Sequence, residues 1–391
     1  MIKTVRLEEL ASVRGGKRLP KGVNLITTPN SHPYIRVRDL NNRHTLELNA
    51  DFEYVDDETQ KNIVRYIVDR GDIVLSIVGT IGLVAIVGDS LHHANLTENC
   101  VKLTQLNGVN RDYLYYFLKS ELGQAEIAKG TVGAVQAKLP IKNIQAIEVV
   151  LPSLGQQEKI ASILAAIDYK IEANEKINDN LQQQASALFA QYYEQASDTV
   201  PFTSVIQILG GGTPKTGDPL FWNGNVPFFT PKDVGAPYTL TTEKTITEDG
   251  LDHCNSRIYP VNTVFVTARG TVGKVGMPGV PMAMNQSCYA LVGKDIDQLM
   301  VYFYTLQTVQ ALKHKASGAV FDAITTRDFE TETIRLIADD AAAEFLSVAT
   351  PMFGQILGNS IENQRLAELR DALLPRLMAG EIDVSGIDLS C

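Results

Sequence analysis

Ile160-Ala-Ser-Ile-Leu-Ala-Ala-Ile-Asp-Tyr-Lys-Ile-Glu-Ala-Asn-Glu-Lys-Ile-Asn178 is the stretch that decides the architecture. Apolar and small positions step alternately by four and three: Ile160, Leu164, Ile167, Ile171, Asn174, Asn178, Leu181, Ala185, Leu188 and Tyr192. That spacing is a heptad seam, and it predicts one uninterrupted helix from Gln156 to Gln195. The seam returns 185 residues later as Phe345, Ala349, Met352, Ile356, Asn359, Asn363, Leu366, Arg370, Leu373 and Leu377. The asparagines recur in phase. Two helices of equal length, each about 55–60 Å long at 1.5 Å per residue, are expected to lie along one another. Asn at a seam position sacrifices stability for a unique alignment, so Asn174, Asn178, Asn359 and Asn363 are assigned to register control. The acids Glu158, Asp168, Glu172, Glu175 and Asp179 are expected on the solvated outer face.

Around these helices the chain repeats itself. A glycine-rich basic loop, Arg14-Gly-Gly-Lys-Arg-Leu-Pro-Lys-Gly22, is answered by Gly210-Gly-Gly-Thr-Pro-Lys-Thr-Gly217. Pro33-Tyr-Ile-Arg-Val-Arg-Asp-Leu40 reads as a strand with Arg36 and Arg38 on one face, and Pro227–Val234 answers it. Asp72–Gly82 is answered by Thr263–Gly273, with Gly-Thr-hydrophobic-Gly intact in both. The 111–129 stretch is predicted as a helix with Tyr113, Tyr116 and Phe117 on its apolar side, and Leu299–Leu312 answers it. Ser317–Val320 echoes Val132–Val135. The architecture is therefore mixed α/β: a globular block at 1–152, a long helix at 153–197, a second block at 198–337, and a second long helix with a tail at 338–391.

Composition fits this plan. The 391 residues are 45% hydrophobic and 20% charged, enough apolar content for more than one core. No apolar run reaches the ~18–20 residues of a membrane span. The first residues carry no signal-peptide core, and Cys100, Cys254, Cys288 and Cys391 lie far apart, so a cytoplasmic, disulfide-free protein is expected. The net charge of −10 is concentrated on the helices: 151–200 holds three basic and seven acidic residues, and 338–391 holds three and nine. Residues 1–150 hold 18 basic and 17 acidic, and 201–337 hold 11 and 12. An acidic total therefore does not exclude DNA, because the field at the contact surface is what matters.

The chain resembles the DNA specificity (S) subunit of type I restriction–modification systems over essentially its whole length. The resemblance is carried by Leu151-Pro-Ser-Leu-Gly-Gln-Gln-Glu-Lys-Ile160 leading into the Ile/Asn helix, by Gly211-Gly-Thr-Pro-Lys215 with Phe221-Trp-Asn-Gly224, by Ser287-Cys288, and by the closing stretch from Asn363 to Ile382. The Leu-Pro-x-Leu lead-in has no counterpart before the second helix, where Ile334-Arg-Leu-Ile-Ala-Asp-Asp340 stands. The resemblance implies two target-recognition domains related by a pseudo-twofold, each reading one half of a split double-stranded DNA site, with the two long helices antiparallel as a coiled coil and setting the gap. It also implies two methyltransferase (M) subunits that modify adenine, motor–nuclease (R) subunits in the full complex, and no chemistry or cofactor in this chain.

DNA reading needs cations for phosphates and forked side chains for base edges. The candidates are Lys17, Arg18, Lys21, Arg36 and Arg38 in the first block and Lys215, Lys232, Arg269 and Lys274 in the second. Arg269 beside Gly270 suits a structural ion pair equally well. A coiled-coil protein–protein scaffold is the rival, and the duplicated basic loops speak against it. A self-sufficient enzyme is disfavoured by missing motifs. Gly270-Thr-Val-Gly-Lys-Val275 fails the Walker A pattern, since Val275 replaces the required hydroxyl. No Asn/Asp-Pro-Pro-aromatic stretch marks a methyltransferase pocket. His92-His93 and His253-Cys254 are adjacent pairs whose side chains diverge on a strand, so no metal is expected.

Overall fold

The computed structural model describes residues 3–387 apart from 41–42, 134, 236 and 316–322. The Ser317–Val320 echo therefore lies outside the described residues. The chain forms two compact units: residues 1–172 with 365–391, and residues 173–364. The long helices Leu154–Gln195 and Asp339–Met378 each contribute one part to either unit.

Both units use one topology. In the first, a five-stranded sheet runs in the order Ser12–Gly15, Cys100–Thr104, Ile73–Ser76, Val84–Val87, Thr45–Leu46. A three-stranded sheet places Pro33–Ile35 between Glu53–Tyr54 and Asn95–Leu96. A ribbon pairs Lys3–Arg6 with Glu148–Leu151. In the second unit the same orders return: Ile206–Gly210, Cys288–Gly293, Val264–Thr267, Val275–Pro278, Tyr238–Thr239, then Lys244–Ile246, Trp222–Phe229, Ala283–Met284, and the ribbon Asp198–Pro201 with Thr333–Leu336. Even the exceptions repeat. Thr45–Leu46 runs parallel to its neighbour, as does Tyr238–Thr239, within otherwise antiparallel sheets.

Two expected elements differ. The stretch 33–40 is a strand only to Ile35, after which Val37–Asp39 winds into a 3₁₀ turn. Asp39 accepts the Arg36 backbone N–H at 2.8 Å and closes that turn, so Arg36 and Arg38 do not share a strand face. The expected 111–129 helix is two helices, Arg111–Lys119 and Glu121–Gly130. Ser120 divides them: its N–H caps the first, and its hydroxyl accepts from the Gly123 N–H of the second. The second unit keeps one helix, Gln298–Lys315.

In the first unit the sheet face of Ile73, Leu75, Ile86 and Leu103 packs on Tyr113, Tyr116 and Phe117. The long helices then close the core with Ile160, Leu164, Leu377 and Met378. The second unit does the same with Val264, Val266, Tyr302 and Phe303 against Ala185, Phe189, Phe345 and Phe353. Facing residues run in opposite directions: Asp168 meets Arg370 in one unit, while Asn174 meets Asn363 and Phe189 meets Phe345 in the other. The pairing is antiparallel within each unit, as the resemblance implies.

Asp168 overturns its expected place on the solvated face. It is 5% exposed, and Glu158 and Asp179 are the exposed acids there. Its carboxylate takes a 2.7 Å ion pair from Arg370 and a 2.7 Å hydrogen bond from the Tyr116 hydroxyl. Burial pushes the Tyr116 hydroxyl far above its ordinary pKa, so it stays a donor. The heptad reading misplaced Asp168 because a residue beside the seam is buried once a third element, the Tyr116 helix, covers that side. At the positions 185 residues on, or back, the second unit carries Phe353 and Ala185, both buried. One repeat therefore closes with charge and the other with an aromatic ring.

The asparagines form a ladder. Asn174 donates to Asn363 at 2.8 Å and to Glu362 at 2.7 Å, while Asn359 donates to Asn178 at 2.8 Å. Asn174 and Asn359, the first of each in-phase pair, are thus not each other's partners.

Two stability predictions follow from these contacts. Asp168→Ala or Arg370→Ala alone costs about 3 kcal/mol by stranding a buried charge, and the double variant loses far less than the sum in denaturant unfolding. Asn359→Leu costs about 1–3 kcal/mol by leaving the Asn178 side-chain oxygen without its donor. Asn178→Leu with Asn359→Leu restores the midpoint but relaxes register, read as exchange broadening in NMR spectra of the helix pair.

Candidate nucleic-acid interface

The glycine loops and the tight turns meet at one edge of each unit. In the first, Gly16 lies so close to the 96–97 backbone that an added Cβ would sit 2.0 Å from the Thr97 carbonyl oxygen. The Lys17 N–H donates to the Leu96 carbonyl at 2.8 Å, and the Tyr34 hydroxyl donates to the Lys17 carbonyl at 2.8 Å. In the second unit Gly211 takes the same position, where an added Cβ would sit 2.2 Å from the Asn285 carbonyl oxygen, and the Gly212 N–H donates to the Met284 carbonyl at 3.1 Å. Only glycine allows two backbones this close.

The turn that receives the loop is itself tied to a second turn. The Ile77 N–H donates to Asn99 at 2.8 Å, and the Ala268 N–H donates to Ser287 at 2.8 Å. Gly79 and Gly82 have φ of 80° and 92°, and Gly270 and Gly273 have 83° and 73°. These are left-handed values that explain the Gly-Thr-hydrophobic-Gly repeat. Ser76 donates to the Thr80 carbonyl at 2.6 Å and accepts from the Leu83 N–H, while Thr267 does the same with Thr271 and Lys274. A third strip closes the cluster, since Leu139 N–H donates to Ile77 and Ile324 N–H donates to Ala268, each at 2.9 Å.

On this common backbone frame the side chains differ. Arg18 and Glu98 form a 2.6 Å ion pair where the second unit has Thr213 bonded to Gln286. The hydrogen bond from Arg18 holds the Glu98 carboxyl below its usual range against the opposing effect of burial. Both pairs are polar, exposed at the loop edge, and different in charge and shape.

The candidates divide by their surroundings. Lys17 lies exposed with its ammonium 5.5 Å from the Tyr66 ring centroid, and Lys21 extends into solvent. Arg36 is committed inward: it pairs with Asp39 at 3.0 Å and with Glu53, and donates to the Asp51 carbonyl at 3.1 Å. Arg38 is exposed and bonded to Glu53 at 2.9 Å. In the second unit Lys215, Arg269 and Lys274 are exposed in the glycine loop and tight turn, and Lys232 stands 3.7 Å from Glu243. The structure gathers Lys17 and Arg18 in one unit, and Arg269 and Lys274 in the other, at the shared loop edge. Sequence reading missed Glu98 and Gln286, the residues facing each glycine loop, although Ser287-Cys288 pointed to that segment.

Cys100 and Cys288 are buried beneath the turns, and burial pushes the Cys100 thiol up to about 12 and Cys288 in the same direction.

Gly211→Ala is expected to displace the 285–287 turn and weaken DNA binding of the whole chain about tenfold or more. Gly210→Ala, where a Cβ meets nothing within 4 Å, leaves binding unchanged in the same filter or fluorescence-anisotropy assay.

Comparison with known proteins agrees with this picture. Residues 2–183 and 196–347 each match the type I restriction modification DNA specificity domain. The chain is similar to the type I restriction enzyme MjaIX specificity subunit of Methanocaldococcus jannaschii, at 22% identity over 381 residues, covering 90% of this chain and 87% of that protein. It is also similar to the HindI specificity subunit of Haemophilus influenzae, at 24% identity, covering 63% of this chain and 71% of that one. Its fold is like that of the S subunit of a type I restriction–modification system from M. genitalium, with a TM-score of 0.61, 13% identity and 96% of both chains covered. With two matched domains spanning most of its length, the chain belongs to the type I restriction–modification DNA specificity family, whose members are the non-catalytic recognition subunits.

Proposed function

We propose that each unit reads one half of a bipartite double-stranded DNA site, with the long helices setting the number of unread base pairs between the halves. The observation that carries this reading is the duplicated loop edge, one backbone frame presenting Arg18 and Glu98 in one copy and Thr213 and Gln286 in the other. A reader of two different half-sites needs one docking geometry and two sets of side chains. In the proposed roles, Lys17, Lys21, Lys215 and Lys274 meet phosphates, while Arg18, Arg38 and Arg269 stand nearest to base edges. Arg36 shapes the 3₁₀ turn that presents Arg38, and Lys232 adds positive potential. At about 1.5 Å per residue each helix is long enough to bridge more than one ~34–36 Å turn of DNA.

The chain acts in this reading as the recognition part of a cytoplasmic complex. Two methyltransferase subunits modify one adenine in each half-site, and motor–nuclease subunits join for restriction. No helix among the described residues is long and apolar enough to cross a membrane.

Co-expression with a methyltransferase partner, followed by single-molecule sequencing of adenine methylation, tests the proposal. The expected result is a split motif with one modified adenine on each side of a fixed gap, and replacing residues 1–150 changes one half only. Loss of both halves on that replacement would refute one-domain-per-half reading. A stable complex with no DNA binding at low salt would favour the scaffold.

A further inference from the structure

The first unit carries a side-chain cluster that DNA reading does not use. Asp69, His92 and His93 are all partly exposed, and each offers a donor atom within 4.8 Å of the other two. Adjacent residues on a strand would diverge, but His92 and His93 follow the 3₁₀ turn Asp89–Leu91 and are not in a strand. His93 has a φ of 68°, a left-handed value that is uncommon for a residue with a side chain. That twist brings both imidazoles to one side, with ring centroids 3.7 Å apart.

The donor spacing is informative. Asp69 Oδ1 lies 3.7 Å from His92 Nδ1 and 3.6 Å from His93 Nε2. Those separations are too long for hydrogen bonds. They are close to the edge of a tetrahedron, about 3.3–3.4 Å, for donors held at 2.0–2.1 Å from one ion. The other oxygen, Asp69 Oδ2, faces the Lys102 ammonium at 3.6 Å, and Lys102 is held more tightly by Asp72 at 2.9 Å. One carboxylate oxygen is thus left toward the histidines. The Arg70 N–H, 3.3 Å from His92 Nδ1, is the contact an ion would displace toward water.

The equivalent place in the second unit makes the same chain crossing without these residues. Val68 N–H donates to the Ala94 carbonyl and the Val68 carbonyl accepts from the His93 N–H, where Tyr259 and Met282 exchange backbone hydrogen bonds with each other. At that crossing Pro260, Val280 and Pro281 stand where the first unit has Asp69, His92 and His93. The second unit makes its crossing with neither a histidine nor a left-handed residue, whereas the first uses the His93 backbone N–H, which a glycine at that position would keep. We propose that Asp69, His92 and His93 form a surface site for one borderline divalent transition ion, Zn²⁺ or Co²⁺, with water completing the tetrahedron. The ion ties the 89–93 turn to the 68–70 segment of the first recognition domain only.

The test uses the full-length chain, free of any histidine tag and stripped with chelator. Zn²⁺ titration calorimetry is expected to give one ion per chain, and Co²⁺ to give the visible absorption of a tetrahedral site. Mg²⁺ in excess should not compete. His93→Gly relieves the left-handed residue, so its melting temperature in chelator should hold or rise while Zn²⁺ affinity drops by at least about tenfold. Asp69→Asn should weaken binding as well. Absence of micromolar binding, or binding unchanged in His93→Gly, overturns the proposal.

Discussion

Burial of a two-helix seam against a sheet-backed aromatic helix is the contact on which the rest of each unit depends. The opposite sheet face has its own cover, Val74, Val87 and Cys100 against Ile35 and Tyr54 in one unit and Phe265 and Ala290 against Phe229 and Tyr259 in the other, but the larger core of each unit is closed only by this contact. The strands present Ile73, Leu75 and Leu103 in one unit and Val264, Val266 and Leu291 in the other. Tyr113, Tyr116 and Phe117, or Tyr302 and Phe303, fill the middle layer. The helix pair then closes the stack, and each fully buried large side chain contributes about 1.5–3 kcal/mol. The glycine loops and tight turns of the candidate interface are held at the edge of this stack by backbone hydrogen bonds rather than by the identity of their side chains.

That division of labour explains what sequence could show. The seam was legible because a period of 3.5 residues sustained through 160–192 has few other physical explanations. The repeat was legible because left-handed turns at Gly79, Gly82, Gly270 and Gly273 admit little but glycine. Ser120 was not, since a residue that ends one helix and caps the next looks like any polar position on a continuous helix. Asp168 was misread because its burial depends on Tyr116 and Arg370, residues 52 and 202 positions away.

The candidate site shows the same limit. Basic residues in glycine loops could be picked out, but whether a cation faces solvent or is spent inside the fold depends on its neighbours. Arg36 and Arg38 are two residues apart with identical chemistry. One is clasped by Asp39 and Glu53, and the other is largely exposed. The facing pairs Arg18 with Glu98 and Thr213 with Gln286 join segments 80 and 73 residues apart, a separation that local pattern does not resolve.

The discontinuity of the first unit has a consequence for biosynthesis. Residues 365–391 belong to it, and Arg370 and Leu377 supply part of its core. A ribosome has therefore made all of residues 173–364 before the first unit can close, and at roughly 5–20 residues per second that interval lasts on the order of tens of seconds. Through it the core around Ile160 and Leu164 lacks Leu377 and Met378, and Asp168 lacks its guanidinium. The second unit, continuous in sequence, finishes first. The nascent chain thus matures from its middle outward, with its opening residues waiting on its last helix.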